Sequence, residues 1–216
     1  MASDERGEGS GAAPGGRRRE WSAAELGKGT YALLNSVVVP RPIAWVTTVS
    51  AEGVVNLAPH SYFTISSVAP PVVQFTSVGR KDSLRNVEAT REFVVHLAPY
   101  SLREQVNATG TDFPPDVDEL AEVGLTAEPA AVVRPPRVAE SPVALECRLA
   151  GTHGFGRATV VFGEVVHVAV DEDVLRDGRP RVELLRPVAR MGGDEWCAVG
   201  EVFELRRSRW SPDGAR

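Results

Sequence analysis

A mainly β protein with a few helices, its strands closed into a barrel, is the fold class this sequence predicts. Three observations predict it. From Ile43 onward the chain is dominated by short runs of Val, Ile, Thr and Phe, the residue types that fit a pleated, half-buried surface. Turn residues punctuate these runs at regular intervals. Helical patterning is confined to short stretches, so antiparallel strands in a barrel suit the chain better than a doubly wound sheet.

Taken in order, residues 1 to 20 are Gly, Ser, Ala, Glu and Arg with almost nothing large and apolar, and they are expected to form a disordered tail. Ser22 with Glu25 reads as a capping box and Trp21 with Leu26 as a hydrophobic staple, opening a helix that runs to about Asn35 and is weakened by Gly27 and Gly29. Pro40 and Pro42 then force extended backbone into a first strand over residues 43–50. Ala51, Glu52 and Gly53 make a hairpin turn, and strands follow at 54–57, 62–66 and 72–77. A helical segment at 83–91 precedes a strand at 93–98, and Ser101 with Glu104 reads as a second capping box for a helix ending near Gly110. Residues 111–137, rich in Pro, form a long excursion with one short helix near 118–123. Strands resume at 142–150 and 158–170, with Gly163 marking a bulge and Asp177 with Gly178 a later turn. One folded unit over 21–210, with tails at 1–20 and 211–216, is expected.

Composition narrows the function classes. A formal charge of -5 leaves no cationic footprint for a phosphate backbone, so nucleic acid is not an expected partner. Cys147 and Cys197 have no metal-ligand spacing and read as reduced, buried thiols, and the four histidines are equally scattered, so no metal site is expected. No run approaches the roughly 18 apolar residues of a membrane span, and the N-terminus lacks a signal-peptide core, which predicts a cytoplasmic protein with no membrane partner. The string GTHGFG at 151–156 has the wrong glycine spacing for a dinucleotide fingerprint and lies between strands.

Two segments carry chemistry. SVGRKDSLRN, residues 77–86, places small, basic and hydroxyl groups between a strand end and a helix start. Backbone N–H groups and the helix dipole favour an anion there, Ser83 can cap the helix and donate to a phosphate, and Arg80 or Lys81 can neutralise it. The same pattern also describes an ordinary capped helix with solvated basic residues. The chain has 22 arginines and only two lysines, Lys28 and Lys81, so a compact ammonium in this loop stands out from its own composition. NLAPHSYF, residues 56–63, offers Asn56 and Ser61 to a polar ring edge and leaves room over Ala58 for a flat ring. Pro59 is expected to end regular pairing and free nearby amides, and an edge strand broken by a turn reads equally well.

Taken together, PRPIAWVTT, then NLAPHSYF, GRKDSLRN, SPVALEC, FGEVVHV and RPVARMGG resemble, in order and spacing, the flavin reductase-like FMN-binding family across roughly residues 30–200. The resemblance implies a split β-barrel of Greek-key type, a homodimer, and FMN between the subunits. It implies that Thr47, Thr48, Asn56, Ala58 and Ser61 line the flavin, and that Ser77, Arg80, Lys81, Asp82 and Ser83 form the phosphate loop. Arg186 to Gly193 falls in the family's C-terminal signature, without a role derivable from sequence.

The resemblance further implies an oxidoreductase that reduces its flavin with NAD(P)H and passes electrons to a partner monooxygenase or another acceptor. Flavin chemistry asks little of ionisable side chains, so no catalytic acid or base is assigned. One departure bears on the nicotinamide step. Family members that carry Gly-Asp-His before the strand read here as ATVVFGEVV use that histidine near the nicotinamide, whereas this chain has Gly156, Arg157 and Ala158, with His153 a few residues earlier. A flavin-binding or electron-transfer protein without nicotinamide turnover is the alternative.

Overall fold

The computed structural model describes residues 18–208 and 210. The expected tails lie almost wholly outside that range, apart from residues 18–20, which are exposed coil. The capping box forms as read: Ser22 Oγ accepts from Glu25 N at 3.3 Å and Glu25 Oε2 from Ser22 N at 2.7 Å. The helix is shorter than expected. It breaks at Gly27, whose φ of 47° is left-handed, into α1 (Ala23–Leu26) and α2 (Gly29–Val37). Trp21 stays exposed beneath the Arg19 guanidinium.

After the short β1 (Arg41–Pro42), the strands are β2 (Ala44–Val49), β3 (Val55–His60), β4 (Phe63–Val68) and β5 (Pro71–Val78). Helix α3 (Asp82–Thr90), β6 (Glu92–His96), a 3-10 turn at Tyr100–Leu102 and α4 (Arg103–Ala108) come next. The expected second capping box is absent, because Ser101 lies inside that 3-10 turn and no side chain caps α4. In the excursion are α5 (Glu119–Glu122), capped by Asp118, and the two-residue strands β7 (Ala127–Glu128) and β8 (Arg137–Val138). The long strands β9 (Val143–Phe155) and β10 (Ala158–Val170) precede β11 (Leu175–Arg176) and β12 (Arg179–Pro180), joined by a turn at Asp177 and Gly178. Helix α6 (Val182–Leu185), β13 (Val188–Arg190) and β14 (Trp196–Ala198) complete the described elements.

Seven strands form one antiparallel sheet in the order β3-β2-β6-β9-β10-β5-β4. Its edge strands β3 and β4 are separated in sequence only by Ser61 and Tyr62, so the sheet must curl until its edges approach. The register against β9 shifts between Phe162 and Gly163, where a bulge was expected, but the extra residue is Ala150 on β9 rather than one on β10. A side chain at Gly163 would meet Phe93 Cζ at 2.2 Å, so the Phe93 ring lying over this backbone requires glycine.

Strand β2 is buried along its whole length because it faces two apolar layers. Ala44 and Val46 join Phe75, Phe93, Val161 and, from α3, Leu84 and Val87 inside the barrel. Ile43 and Trp45 join Leu57, Val106, Leu120, Val138 and Val188 in an outer layer. Polar clamps hold the excursion against the outer face. Glu146, fully buried, accepts from the backbone N–H groups of Ala131 and Val132 and from Arg137 Nε. Burial by itself would raise its pKa, but these hydrogen bonds and the Arg137 charge outweigh burial and lower it. Cys147 is buried, and desolvation, then Glu146, pushes its thiol up to about 12. Cys197, expected to be buried, is only partly so.

His96 ties the two layers. Val138 N–H donates to its Nε2 at 3.0 Å, which leaves Nδ1–H to donate to the Trp45 carbonyl at 3.0 Å. Burial lowers its pKa to about 4, with the Trp45 carbonyl opposing and Arg137 assisting. Because the folded value lies below the unfolded one, the unfolded chain takes up the proton first, and stability is lost as pH falls from 6.5 toward 4. One such histidine costs up to about 1.4 kcal/mol per pH unit. We therefore expect His96→Gln to be less stable at pH 7 but to lose about 1.5 kcal/mol less than wild type between pH 6.5 and 5. Urea unfolding across that range would show parallel curves if His96 were already protonated in the fold.

Candidate functional site

Pairing register assigns each residue of β3 to a face. Asn56, Ala58 and His60 lie opposite Thr48, Val46 and Ala44 of β2, so a polar or small residue occupies every inward position of this edge strand. The outward positions are Val55, Leu57 and Pro59. Leu57 N–H points away from the ladder and donates to Glu119 Oε2 at 3.0 Å, which covers part of the sheet edge. Pro59 is in step with Leu57, so its missing N–H falls on the open side and costs no ladder bond. Pairing therefore continues through Pro59 to His60, contrary to the expected break.

Helix α3 meets this face at its N-terminus. Its N-cap is Lys81, with no side-chain cap. Ser83, expected to cap the helix, instead sits in the first turn, 1% exposed, and turns inward to β3. His60 Nε2 lies 3.2 Å and Asn56 Nδ2 3.3 Å from Ser83 Oγ. One turn later Asn86 Nδ2 donates to Thr48 Oγ1 at 3.1 Å, which pins the helix to β2. Glu119 stands behind Asn56, its pKa raised chiefly by burial.

These elements enclose a cavity of about 310 Å³, within the range of small-molecule sites. Asn56, Ala58, Ser61, Lys81, Asp82 and Ser83, all expected at the site, line it together. So do Tyr31, His60, Tyr62, Glu119 and the turn Thr109–Phe113, which sequence reasoning did not assign. His60 shares the two-residue spacing of Asn56 and Ala58, a signal present in the sequence. Glu119 reaches the site from the excursion, and nothing in its local sequence indicates that. Lys81 Nζ is 3.1 Å from Asp112 Oδ1, and Asp82 pairs with Arg85.

The other four expected residues lie outside the cavity lining. Thr47 is on the outer face, its hydroxyl donating to the Pro136 carbonyl at 2.6 Å. Thr48 accepts from Asn86. Ser77 closes the strand-to-helix turn by donating to Gly79 O at 2.9 Å, and Arg80 pairs with Glu88 at 2.7 Å. His153 stands on an exposed stretch of β9, two strands away from Thr76 along the cross-strand row Thr76, Val160, His153, and packs on Phe155. Among the described residues no group of three His, Cys, Asp or Glu side chains could hold a metal ion, and no helix is long and apolar enough to cross a membrane.

The segment Arg186 to Gly193 gains a structural position. Its strand β13 pairs with β1, Met191 O accepts from Arg41 at 2.7 Å, and a Cβ at Gly192 would meet Ser36 Oγ at 2.5 Å, so the segment packs directly on α2. Arg190 lies over the Trp196 ring, and both line a second cleft that shares Tyr31, Pro59, Ser61 and Gly110 with the main cavity.

Comparison with known proteins agrees with this architecture. Residues 36–185 match the flavin reductase like domain. A protein of Halalkalibacterium halodurans is 41% identical over 192 residues, covering 83% of this chain and 91% of its own length. Nitrilotriacetate monooxygenase component B from Bacillus cereus superposes with a TM-score of 0.84 at 34% identity, over 88% of this chain and all of that one. The 2-nitrobenzoate 2-nitroreductase NbaA of Pseudomonas fluorescens does so with a TM-score of 0.83 at 30% identity, over 91% of this chain and all of that one. On the fold, the register of the site and these matches, the chain belongs to the flavin reductase-like family of split-barrel proteins.

Proposed function

We propose that the cavity between β3 and α3 binds FMN and that the protein is a flavin-dependent oxidoreductase. The observation that carries this reading is the mixed lining of the chamber. Lys81, the Ser83 hydroxyl and the first turn of a nine-residue helix with no side-chain cap line it, a donor set that suits a phosphate. Ala58, Tyr31 and Tyr62 line it too, small and aromatic groups against which a flat ring can lie. The residues present thus fit the cofactor that family membership implies. FMN supplies the redox chemistry when bound, since its ring accepts hydride or single electrons itself.

What the chain contributes is position and polarity. Asn56 and Ser61 offer hydrogen bonds to the ring edge. Lys81 and Ser83 hold the phosphate, with Asp82 placing its backbone in the helix's first turn. Thr48 and Ser77 act one step back, by fixing α3 and its loop, Arg80 by its tie to Glu88 on α3, and Thr47 by fixing the excursion.

The open side of the cavity is bordered by Tyr31, and on the same helix Leu34 and Val37, with Val38 after it, are each more than half exposed. A second copy of the chain seated there would cover both the apolar face and the cavity mouth, which supports a homodimer with FMN between subunits. The likeness to a monooxygenase component and to a nitroreductase supports a role that receives electrons from NAD(P)H and delivers them to a partner monooxygenase or another acceptor. A flavin-binding electron carrier without nicotinamide turnover is favoured by one observation: His153 is displaced two strands from the cavity wall and Ala158 stands where family members place histidine.

Two measurements test these readings. Lys81 is more than half exposed and must leave Asp112 to meet a phosphate, so Lys81→Ala should weaken FMN about tenfold, the lower end of what a charge-assisted hydrogen bond contributes. Riboflavin, which lacks the phosphate, should bind the variant and wild type alike by fluorescence titration, and equal losses for both ligands would displace the phosphate from this loop. Anaerobic mixing of the flavin-loaded protein with NADH or NADPH should bleach the flavin absorbance within turnover times. Bleaching no faster than that of free FMN would favour the electron carrier.

A further inference from the structure

The second cleft, beside the main cavity, encloses about 340 Å³, and its charge is one-sided. Among the described residues that line it, Arg190 is the one cation and none is a carboxylate. The main cavity, by contrast, sets Lys81 among Asp82, Asp112 and Glu119. Strand register deepens the imbalance. Arg41 on β1 lies directly opposite Arg190 on β13, and Arg190 directly opposite Trp196 on β14, so the three side chains leave the same face of this small sheet, where like charges in register repel. Arg41 is buried, its hydrogen bonds go to the backbone carbonyls of Asn35, Val38 and Met191, and its Nε has no partner. Among the described residues neither arginine has a carboxylate within ion-pair distance.

Arg190 is also held in place. Met191 N–H donates to Glu195 O at 2.9 Å and Glu195 N–H to Gly192 O at 3.0 Å, which closes the hairpin between β13 and β14, and Gly192 packs on Ser36 of α2. The Arg190 guanidinium lies 4.9 Å from the centre of the Trp196 ring and gives one N–H to Gly193 O at 2.7 Å. A guanidinium carries five N–H groups in a fixed fork, so donors remain for a ligand. The Ser61 hydroxyl and the Asn107 amide line the same cleft, and Tyr31, Pro59 and Trp196 give it flat, largely apolar surface. A volume of this size suits a small organic molecule rather than an inorganic anion.

We propose that this cleft binds a small planar organic carboxylate, its charged end paired with the Arg190 fork and its ring against the flat groups of the lining. A guanidinium matches a carboxylate through two parallel hydrogen bonds, and the bound anion offsets the repulsion between Arg41 and Arg190. With no second cation in its lining, the cleft is a poorer match for a phosphate dianion. Position gives the site its use. The residues it shares with the main cavity are Tyr31, Pro59, Ser61 and Gly110, and none of Lys81, Asp82 or Ser83. The ligand therefore enters beside a residue expected at the flavin ring and not beside those expected at the phosphate, a place open to a substrate of the flavin. That placement rests on the reading of the main cavity as the FMN site, whereas the carboxylate site rests on the charge and lining of the cleft.

Benzoate and benzamide, alike in ring and different in charge, test the proposal. Each is titrated into the FMN-loaded protein and followed by the flavin difference spectrum and by tryptophan fluorescence. Wild type should bind benzoate saturably, with a Kd of about 1 mM for so small a ligand, and should prefer it to benzamide. Arg190→Gln should weaken benzoate at least about tenfold, the lower end for a charge-assisted hydrogen bond, and erase the preference. Trp196→Phe should remove most of the fluorescence response, which places the ligand in this cleft. Wild type that binds benzoate no better than benzamide, or Arg190→Gln that keeps wild-type benzoate affinity, would overturn the proposal. Benzoate that displaces FMN would overturn it too, by placing the carboxylate in the main cavity, as would inorganic phosphate bound as tightly as benzoate. Should Arg190→Gln fail to fold, Arg190→Lys decides, because it keeps the charge without the fork: benzoate should weaken there, and unchanged affinity would contradict the fork. A protein that retains no FMN would remove the flavin reading, while the tryptophan signal would still report on the cleft.

Discussion

Ser61 and Tyr62 are all the chain there is between β3 and β4, the strands at opposite edges of the seven-stranded sheet, and the rest of the molecule is arranged around that short link. Two residues span only about 7 Å, so the edges must come together and the sheet must close. The backbone shows it: Thr76 N–H of β5 donates to Tyr62 O at 2.9 Å, and His60 packs on Phe75 of the same strand with ring centroids 4.6 Å apart. The long strands β9 and β10, bent at Gly163, supply the curvature. Closure is incomplete where β3 turns its polar face inward, and the N-terminus of α3 fills that gap. The cavity lies where this edge, lined by Asn56, Ala58 and His60, meets the start of α3.

Carboxylates do much of the work of holding irregular backbone to this barrel. Residues 111–137 have little secondary structure, so their amides need partners from elsewhere. Glu146 takes Ala131 and Val132, Glu92 takes Arg134 at 2.9 Å, and Glu140 takes Thr126 at 3.0 Å. Glu119 works in the opposite direction, carrying a carboxylate from the excursion to the free edge of β3. That exchange couples the excursion to the site. Glu119 both covers the barrel edge and lines the cavity.

Much of this was legible in the sequence, for reasons that are local. β-branched runs marked the main strands, Ser22 and Glu25 marked a cap, and Gly163 marked the place of a register shift, though the extra residue is on β9, because a glycine within an apolar strand has few other uses. The order and spacing of several segments carried the family. What was not legible depends on register. Ser83 looks like a cap from its neighbours but is turned inward by Asn56 and His60, which lie about twenty-five residues away. Pro59 looks like a terminator unless one knows that β3 is an edge strand with this residue's nitrogen on the open side. Thr47 and Thr48 are adjacent and similar, yet alternation sends one to the excursion and the other toward α3. Gly27 ends the first helix outright, since glycine's freedom at positive φ ends a helix more readily than it merely weakens one.

The homodimer proposed above would enclose two FMN molecules, one for each chain. Native mass spectrometry of the purified protein, after loading with FMN, measures subunit number and bound flavin in one spectrum. The account predicts a dimer carrying one FMN per chain, reduced to flavin-free chains when the protein is unfolded. A monomer that retains no flavin at concentrations where it is otherwise folded would contradict it.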